Sequence, residues 1–273
     1  MRALLLLCFV LMIFASCEFG KPYAPGKPEI FTDTVAYTMQ KIYQRANDCG
    51  NKADSACTIA KITYPLFKGH NALNDSVKRG LLRINFSDNN DTDTTLKMMV
   101  DRYFEVYADF KKYNKSEDSF FTLDTYAKVV NQDSSLLALE FGGYVYEGDA
   151  HGADFKEFLN WNPKTKKAIY LKDLLLPGSY PQLTKIAERI FRKNEKLKDT
   201  SSLARDYFFR DNKFALNENY LFTPSGIRFV YNQYEIKPYA AGQTELLIPW
   251  AQIKTLIRPD AVVTTYTKKD AGI

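Results

Sequence analysis

The chain has 273 residues with 37 basic and 32 acidic side chains, a net charge of +5, 45% hydrophobic and 14% aromatic content, and two histidines. This length and apolar content suit one large globular domain or two modest ones, each with a real core. The basic residues are scattered rather than gathered into a stripe, so charge gives no reason to expect a nucleic-acid partner.

The N-terminus reads as an export signal. Arg2 precedes an apolar run, Ala3 to Phe14, that is too short to span a bilayer comfortably, and the small residues Ala15 and Ser16 stand just before Cys17. The tetrapeptide Phe14-Ala-Ser-Cys17 is similar to a bacterial lipobox, with Phe14 where leucine is more usual. Residues 1–16 are therefore expected to be a lipoprotein signal peptide and Cys17 the lipid attachment site, placing the rest of the chain outside the cytoplasm on a bacterial membrane. Ordinary secretion with cleavage elsewhere is the alternative. Two or more acyl chains on Cys17 give durable anchoring where one does not. Loss of Arg2 with the signal lowers the net charge from +5 to +4. Residues 17–29, rich in Pro, Gly and Lys, suit a tether.

Of the four cysteines, Cys8 leaves with the signal and Cys17 is consumed by lipid, so Cys49 and Cys57 remain as a pair in an oxidising compartment. A disulfide is expected across the polar turn Gly50–Ala56. A metal site needs more ligands than this segment offers, since His70 and His151 are remote in sequence. On either side, 30–43 and 58–67 alternate as strands that the turn would pair.

Helices are expected at 71–85, with Leu73, Val77, Leu81 and Ile84 on one stripe, and at 95–113, with Leu96, Met99, Val100, Tyr103, Phe104, Tyr107 and Phe110 facing a core. The acidic segment between them, Asp88 to Asp93, lacks the glycine and distal glutamate of a calcium loop and reads as solvated. Strands follow at 120–131, 136–147 and 155–161, and Asn162 to Lys166 turns the last of these into 168–171. A helix is expected at 183–197 with Leu183, Ile186, Ile190 and Phe191 inward, another at 200–210, strands at 226–231 and 244–248, and a short helix at 249–256. Strands run in hairpins with helices inserted between blocks, so the expected class is α+β with mostly antiparallel sheets.

Several landmarks carry a family resemblance. They are the cysteine pair running into Ile62-Thr-Tyr-Pro65, the stretch Tyr146-Glu-Gly-Asp-Ala-His-Gly152, the hairpin Trp161 to Leu174, Asn212-Lys-Phe-Ala-Leu216, and Tyr234-Glu-Ile-Lys-Pro-Tyr-Ala-Ala-Gly242. Over residues 30–258 the chain resembles the extracellular module of the RsiV family of lysozyme-sensing anti-sigma factors, which is also similar to the non-catalytic N-terminal part of a peptidoglycan deacetylase. The resemblance implies an N-terminal α+β subdomain at 30–117 and a larger C-terminal one at 118–273, with a boundary near Asp118. It also implies a stand-alone envelope binding module, whose partner is a lysozyme-like protein or a cell-wall glycan.

Two constellations could carry function. His151 lies among Glu147, Asp149 and Asp154 and beside Gly148 and Gly152. A histidine ringed by carboxylates can serve as general acid or base, or join a metal site; the other reading is a tight turn in which the imidazole hydrogen-bonds across the backbone. Where the family has two glycines before Ala-His-Gly, this chain has Gly148-Asp149. The second constellation is Tyr234, Glu235, Pro238 and Tyr239. Tyrosines flanking a proline make a rigid amphipathic binding surface, unless the rings tuck into the core. No nucleophile elbow, zinc-protease motif or phosphate-cradling loop is present, and no cofactor or metal is called for. The expected function is therefore non-catalytic binding through Tyr234, Glu235, Tyr239 and His151. A glycan-modifying or hydrolytic envelope enzyme using His151, Glu147 and Asp149 is the alternative, and a purely structural lipoprotein a third.

Overall fold

The computed structural model describes residues 29–30, 35–84, 93–114 and 119–269. The expected signal peptide, Cys17, nearly all of the tether, residues 88–92 of the acidic segment and the boundary residue Asp118 lie outside the described residues.

The fold is α+β. Alternating side chains in β2 (Tyr37–Arg45) and β3 (Ile59–Phe67) pair antiparallel in unbroken register from Tyr37 opposite Phe67 to Arg45 opposite Ile59. The connection between them is closed by the Cys49–Cys57 disulfide, whose Cα atoms are 5.3 Å apart and whose cysteines are both buried. Tyr43 of β2 donates its hydroxyl to Asp54 of that connection at 2.8 Å.

After β3 the chain crosses over through two helices, α1 (Asn71–Leu82) and α2 (Leu96–Tyr113), so that β4 (Thr122–Gln132) lies parallel to β3. Thr95 caps α2 by accepting from the Met98 N–H at 3.1 Å. β5 (Leu137–Tyr146), β6 (Ala153–Asn162) and the short β7 (Lys167–Ala168) then add antiparallel hairpins, and β1 (Glu29–Ile30) pairs with the far end of β4. The sheet order is β2-β3-β4-β5-β6-β7. One face is sealed by the helices, with Val77, Leu81, Met99 and Tyr103 packed against Ile62, Leu123, Leu139 and Phe141. Strands from both sides of residue 118 share this one sheet.

The remainder builds a second unit. A one-turn helix α3 (Leu171–Leu174) leads to α4 (Tyr180–Asn194), and β8 (Tyr220–Thr223), β9 (Gly226–Tyr231) and β10 (Thr244–Pro249) form an antiparallel sheet in the order β10-β9-β8. Short helices α5 (Trp250–Ile253) and α6 (Thr264–Lys269) follow. Tyr220, Phe222, Phe229, Tyr231, Leu246 and Ile248 bury one face of this sheet against Leu183, Ala187 and Phe191 of α4. Alternation turns Arg228 and Glu245 to the other face, toward the large sheet.

The helix expected at 200–210 is absent. Residues 201–209 run as a loop that ends in a 3-10 turn, Arg210–Asn212. The reason is a period of two: Tyr207 and Phe209 are both buried against Phe191 while Phe208 between them is 53% exposed, which a helix could not arrange. The Phe208 N–H donates to the Ile236 carbonyl at 3.0 Å.

The two units are joined along the outer edge of β6, where few strand partners exist. The buried Asn160 amide donates to the Tyr220 carbonyl at 3.0 Å and accepts from the Phe222 N–H at 2.8 Å. Asn219 and Asn232 both donate to the Lys156 carbonyl, at 2.8 and 2.9 Å, and the Lys156 N–H donates back to Asn232 at 2.8 Å. Gln233 accepts from the Asp154 N–H at 3.1 Å. These amides satisfy backbone groups that a strand would otherwise pair.

Among the described residues no helix is long and apolar enough to cross a membrane. Replacing both Cys49 and Cys57 by serine should lower the unfolding free energy by about 2–3 kcal/mol, the scale expected for so short a closed loop; denaturant titration of oxidised wild type against the double variant measures it.

Candidate functional site

The β5–β6 hairpin ends in a turn at Glu147–Gly152, which meets the segment Tyr234–Gly242 between β9 and β10. His151 and Tyr239 stack with ring centroids 3.8 Å apart and planes 16° off parallel. The Tyr239 hydroxyl donates to the Gly152 carbonyl at 2.8 Å. The Tyr234 hydroxyl lies 3.3 Å from His151 Nε2, and His151 Nδ1 lies 3.3 Å from the same Gly152 carbonyl. A carbonyl only accepts, so the Nδ1 contact places a proton on Nδ1. Tyr144 completes the patch: a side chain at Gly152 would put Cβ 2.2 Å from the Tyr144 ring, so only glycine admits this packing.

Tyr234 is held at φ +65°, an uncommon conformation for a bulky residue, and is 58% exposed. Glu235 fixes that conformation. Its carboxylate accepts from the Asn232 N–H at 2.8 Å and from the Asn217 amide at 2.7 Å. Tyr234, Tyr239 and His151 thus come together as one surface, and Glu235, itself exposed, braces the turn beside Tyr234.

The histidine–carboxylate constellation is arranged differently. The imidazole contacts described above are with aromatic rings and a carbonyl. Glu147 faces the interior side of the turn, where its charge, after burial, raises the pKa of the Tyr103 hydroxyl, and Gly148 packs near Phe110 and Phe121. Among the described residues no cluster of three or more His, Cys, Asp or Glu side chains could hold a metal ion.

Sequence reasoning missed a second feature. A cleft of about 780 Å³ opens between the uncovered face of the large sheet and the small sheet, lined among others by Met39, Thr63, Tyr126, Lys128, Glu140 and Arg228. Glu140 is 4% exposed and accepts from Lys128 at 2.7 Å, Tyr126 at 2.7 Å and Arg228 at 3.3 Å. The Tyr126 ring reaches across β5 because position 142 is glycine; a Cβ there would lie 2.7 Å from its hydroxyl. Burial alone would raise the Glu140 pKa, but the bonds from Lys128 and Tyr126 and the charges of Lys128 and Arg228 outweigh it, so the carboxyl titrates below its ordinary value. Burial, followed by the Glu140 charge, raises the Tyr126 pKa. The one available signal was Glu140 itself, a lone charge inside the apolar run Leu136–Phe141.

Together these features define an α+β protein of two packed sheet units, with an aromatic patch at one junction and a charged cleft at the other. Residues 51–154 match the family described as "Deacetylase PdaC", and residues 172–251 match the family described as "Protein of unknown function (DUF3298)". The crystal structure of a DUF3298 family protein from Pseudomonas aeruginosa PAO1 is similar at a TM-score of 0.62 and 21% identity, covering 83% of this chain and 96% of that one. A DUF3298 family member from Bacteroides fragilis NCTC 9343 is similar at a TM-score of 0.61 and 22% identity, covering 86% of this chain and 98% of that one. At such identities they share the fold. No curated protein matches the chain. His151 comes from the first matched segment and Tyr234 and Tyr239 from the second.

Glu140→Gln should cost about 2–3 kcal/mol of stability, because it leaves Lys128 and Arg228 without their counter-charge. The sign with pH follows from the lowered pKa. The contribution of Glu140 is complete above the ordinary glutamate pKa and is lost as pH falls through its folded value, so the gap between wild type and variant should close in acid. Urea titrations at neutral and acidic pH measure both.

Proposed function

We propose that this chain is a lipid-anchored envelope protein whose folded part binds a cell-wall glycan without transforming it, through the patch of His151, Tyr234 and Tyr239. The observation that carries this reading is an exposed, pre-stacked aromatic surface in which Tyr234 is held in a strained backbone conformation by Glu235. Strain of this kind persists where the surroundings over-determine it, and it clusters at ligand sites. Aromatic rings offer an apolar face to the C–H side of a sugar ring while their hydroxyls reach its polar edge, and few rotamers need freezing on binding. The matches to PdaC and DUF3298 support an envelope setting, and the lipobox-like Phe14–Cys17 supports the anchor. The likeness to RsiV motifs makes a lysozyme-like protein the rival ligand for the same patch.

Calorimetry of the full chain in detergent micelles against solubilised wall glycan and against lysozyme decides between them. The glycan should bind, Tyr239→Ala should weaken it roughly tenfold or more, and Tyr239→Phe should keep most of the affinity because the stack survives. Lysozyme binding with no glycan signal would transfer the patch to the rival ligand; no heat with either would sink the reading. For the anchor, Cys17→Ala should abolish fatty-acid labelling of the protein and release it from membranes.

A further inference from the structure

The aromatic patch does not end where its rings end. A second cavity of about 360 Å³, lined among others by Asp154, Gln233, Gly242 and Gln243, begins beside Tyr234 and Tyr239 in the chain and shares Tyr126 and Lys156 with the 780 Å³ cleft. Tyr144, whose ring packs at Gly152, is paired with Asp154, and Gly142 and Glu140 follow it on the same face opposite Lys156 and Phe158, so patch, second cavity and cleft succeed one another along β5 and β6. Pockets for one drug-sized molecule run to roughly 300–1,000 Å³, so the combined groove exceeds what a single small ligand fills.

Charge on the groove is balanced and fixed in place. Lys128 and Arg228 bond to Glu140, and Lys156 bonds to Glu245 at 3.0 Å. With Asp154 included, three cations face three carboxylates. A lining of this kind has no surplus charge to attract an ion, yet presents immobilised donors and acceptors at short intervals, together with the Tyr126 and Thr63 hydroxyls and the apolar Met39 side chain, which is 55% exposed. Such surfaces suit a neutral, many-hydroxyl chain, whose hydroxyls can each donate and accept and whose ring faces need apolar ground.

We infer that the groove from the His151–Tyr239 stack to the Glu140 cleft is a multi-unit binding site for a neutral, linear oligosaccharide. This inference rests on the patch being a glycan seat and specifies the ligand as an extended strand with one end on the aromatic stack and the other over Lys128 and Thr63. Thr63 lies opposite Tyr126 in the β3–β4 pairing, at the far end of the path.

The test uses chitobiose and chitohexaose as probes, with the full chain in detergent micelles and calorimetric readout. In the wild type the hexamer should bind roughly tenfold more tightly than the dimer, as added subsites contribute. Thr63→Trp, which blocks the far end beside Tyr126 and replaces no group bonded to Glu140, should erase that length advantage and leave the dimer affinity unchanged, and Lys128→Gln should act in the same direction. Tyr239→Ala should weaken both probes. Equal affinity for dimer and hexamer, with both sensitive to Tyr239→Ala, would overturn the groove and leave the patch standing. Hexamer binding that is lost in Thr63→Trp but indifferent to Tyr239→Ala would overturn the continuous path and with it the patch. Binding of neither probe would overturn both.

Discussion

Side-chain amides do for the outer edge of β6 what a neighbouring strand would do. Asn160, Asn219, Asn232 and Gln233 take up backbone groups of β6 and β8 through six hydrogen bonds, at distances of 2.8–3.1 Å. An open edge of that length is a liability for aggregation, and leaving buried N–H and C=O groups unmade would cost more than each bond contributes. A strand would have fixed only register. Amides on the end of β8 and in the turn after β9 fix in addition how the small sheet sits over the large one. The separation of Arg228 from Glu140, and of Tyr239 from His151, follows from that placement.

The large sheet accordingly divides its two faces. One is given to helices and carries the apolar half of each strand, Ile62, Leu123, Leu139 and Phe141. The other carries the polar half, and only its β5–β6 end is covered. Where the small sheet overlaps it, Arg228 lies 5.0 Å from the centre of the Phe158 ring and its charge meets Glu140. A carboxylate so deeply placed is tolerable because three donors converge on it, and a surface that must remain partly open can hold its shape through such a network more sharply than through apolar packing. The cleft walls are therefore held in place by bonds within the protein itself.

How much of this was legible depends on sequence distance. The paired strands around Cys49 and Cys57, the two crossover helices and the hairpins of β4 to β7 all announce themselves in local alternation or helical spacing. Tyr234, Tyr239 and His151 could be picked out as candidates because they sit in dense local motifs, although nothing local told which ring would meet which. The bonds of Glu235 to Asn232 and Asn217 were not legible, since the second partner is 18 residues away. The cleft was invisible because Lys128, Glu140 and Arg228 belong to three strands in two sheets, with a sequence separation of 88 between the last two. The segment 201–209 failed for a different reason. Three aromatics in a row fit a helix stripe poorly, but the wish of Tyr207 and Phe209 to reach Phe191 together is a tertiary fact that spacing alone does not reveal.

The patch is built from two segments that match different families, and this sets a condition on any activity it has. The stack of His151 on Tyr239 joins the turn of the large sheet to a loop of the small one, and its 3.8 Å spacing leaves little room for sliding. Asn232 and Gln233, two of the amides that hold the sheets together, immediately precede Tyr234. The element that positions the small sheet is thus the same stretch of chain that presents the strained tyrosine. Loosening the amide contacts would relax Tyr234 and part the stacked rings at one stroke, so rigidity at the junction and the shape of the surface are a single property of residues 232–239. A segment spanning only 172–251 would carry both tyrosines and still lack the imidazole and the carbonyl of Gly152 against which they are set.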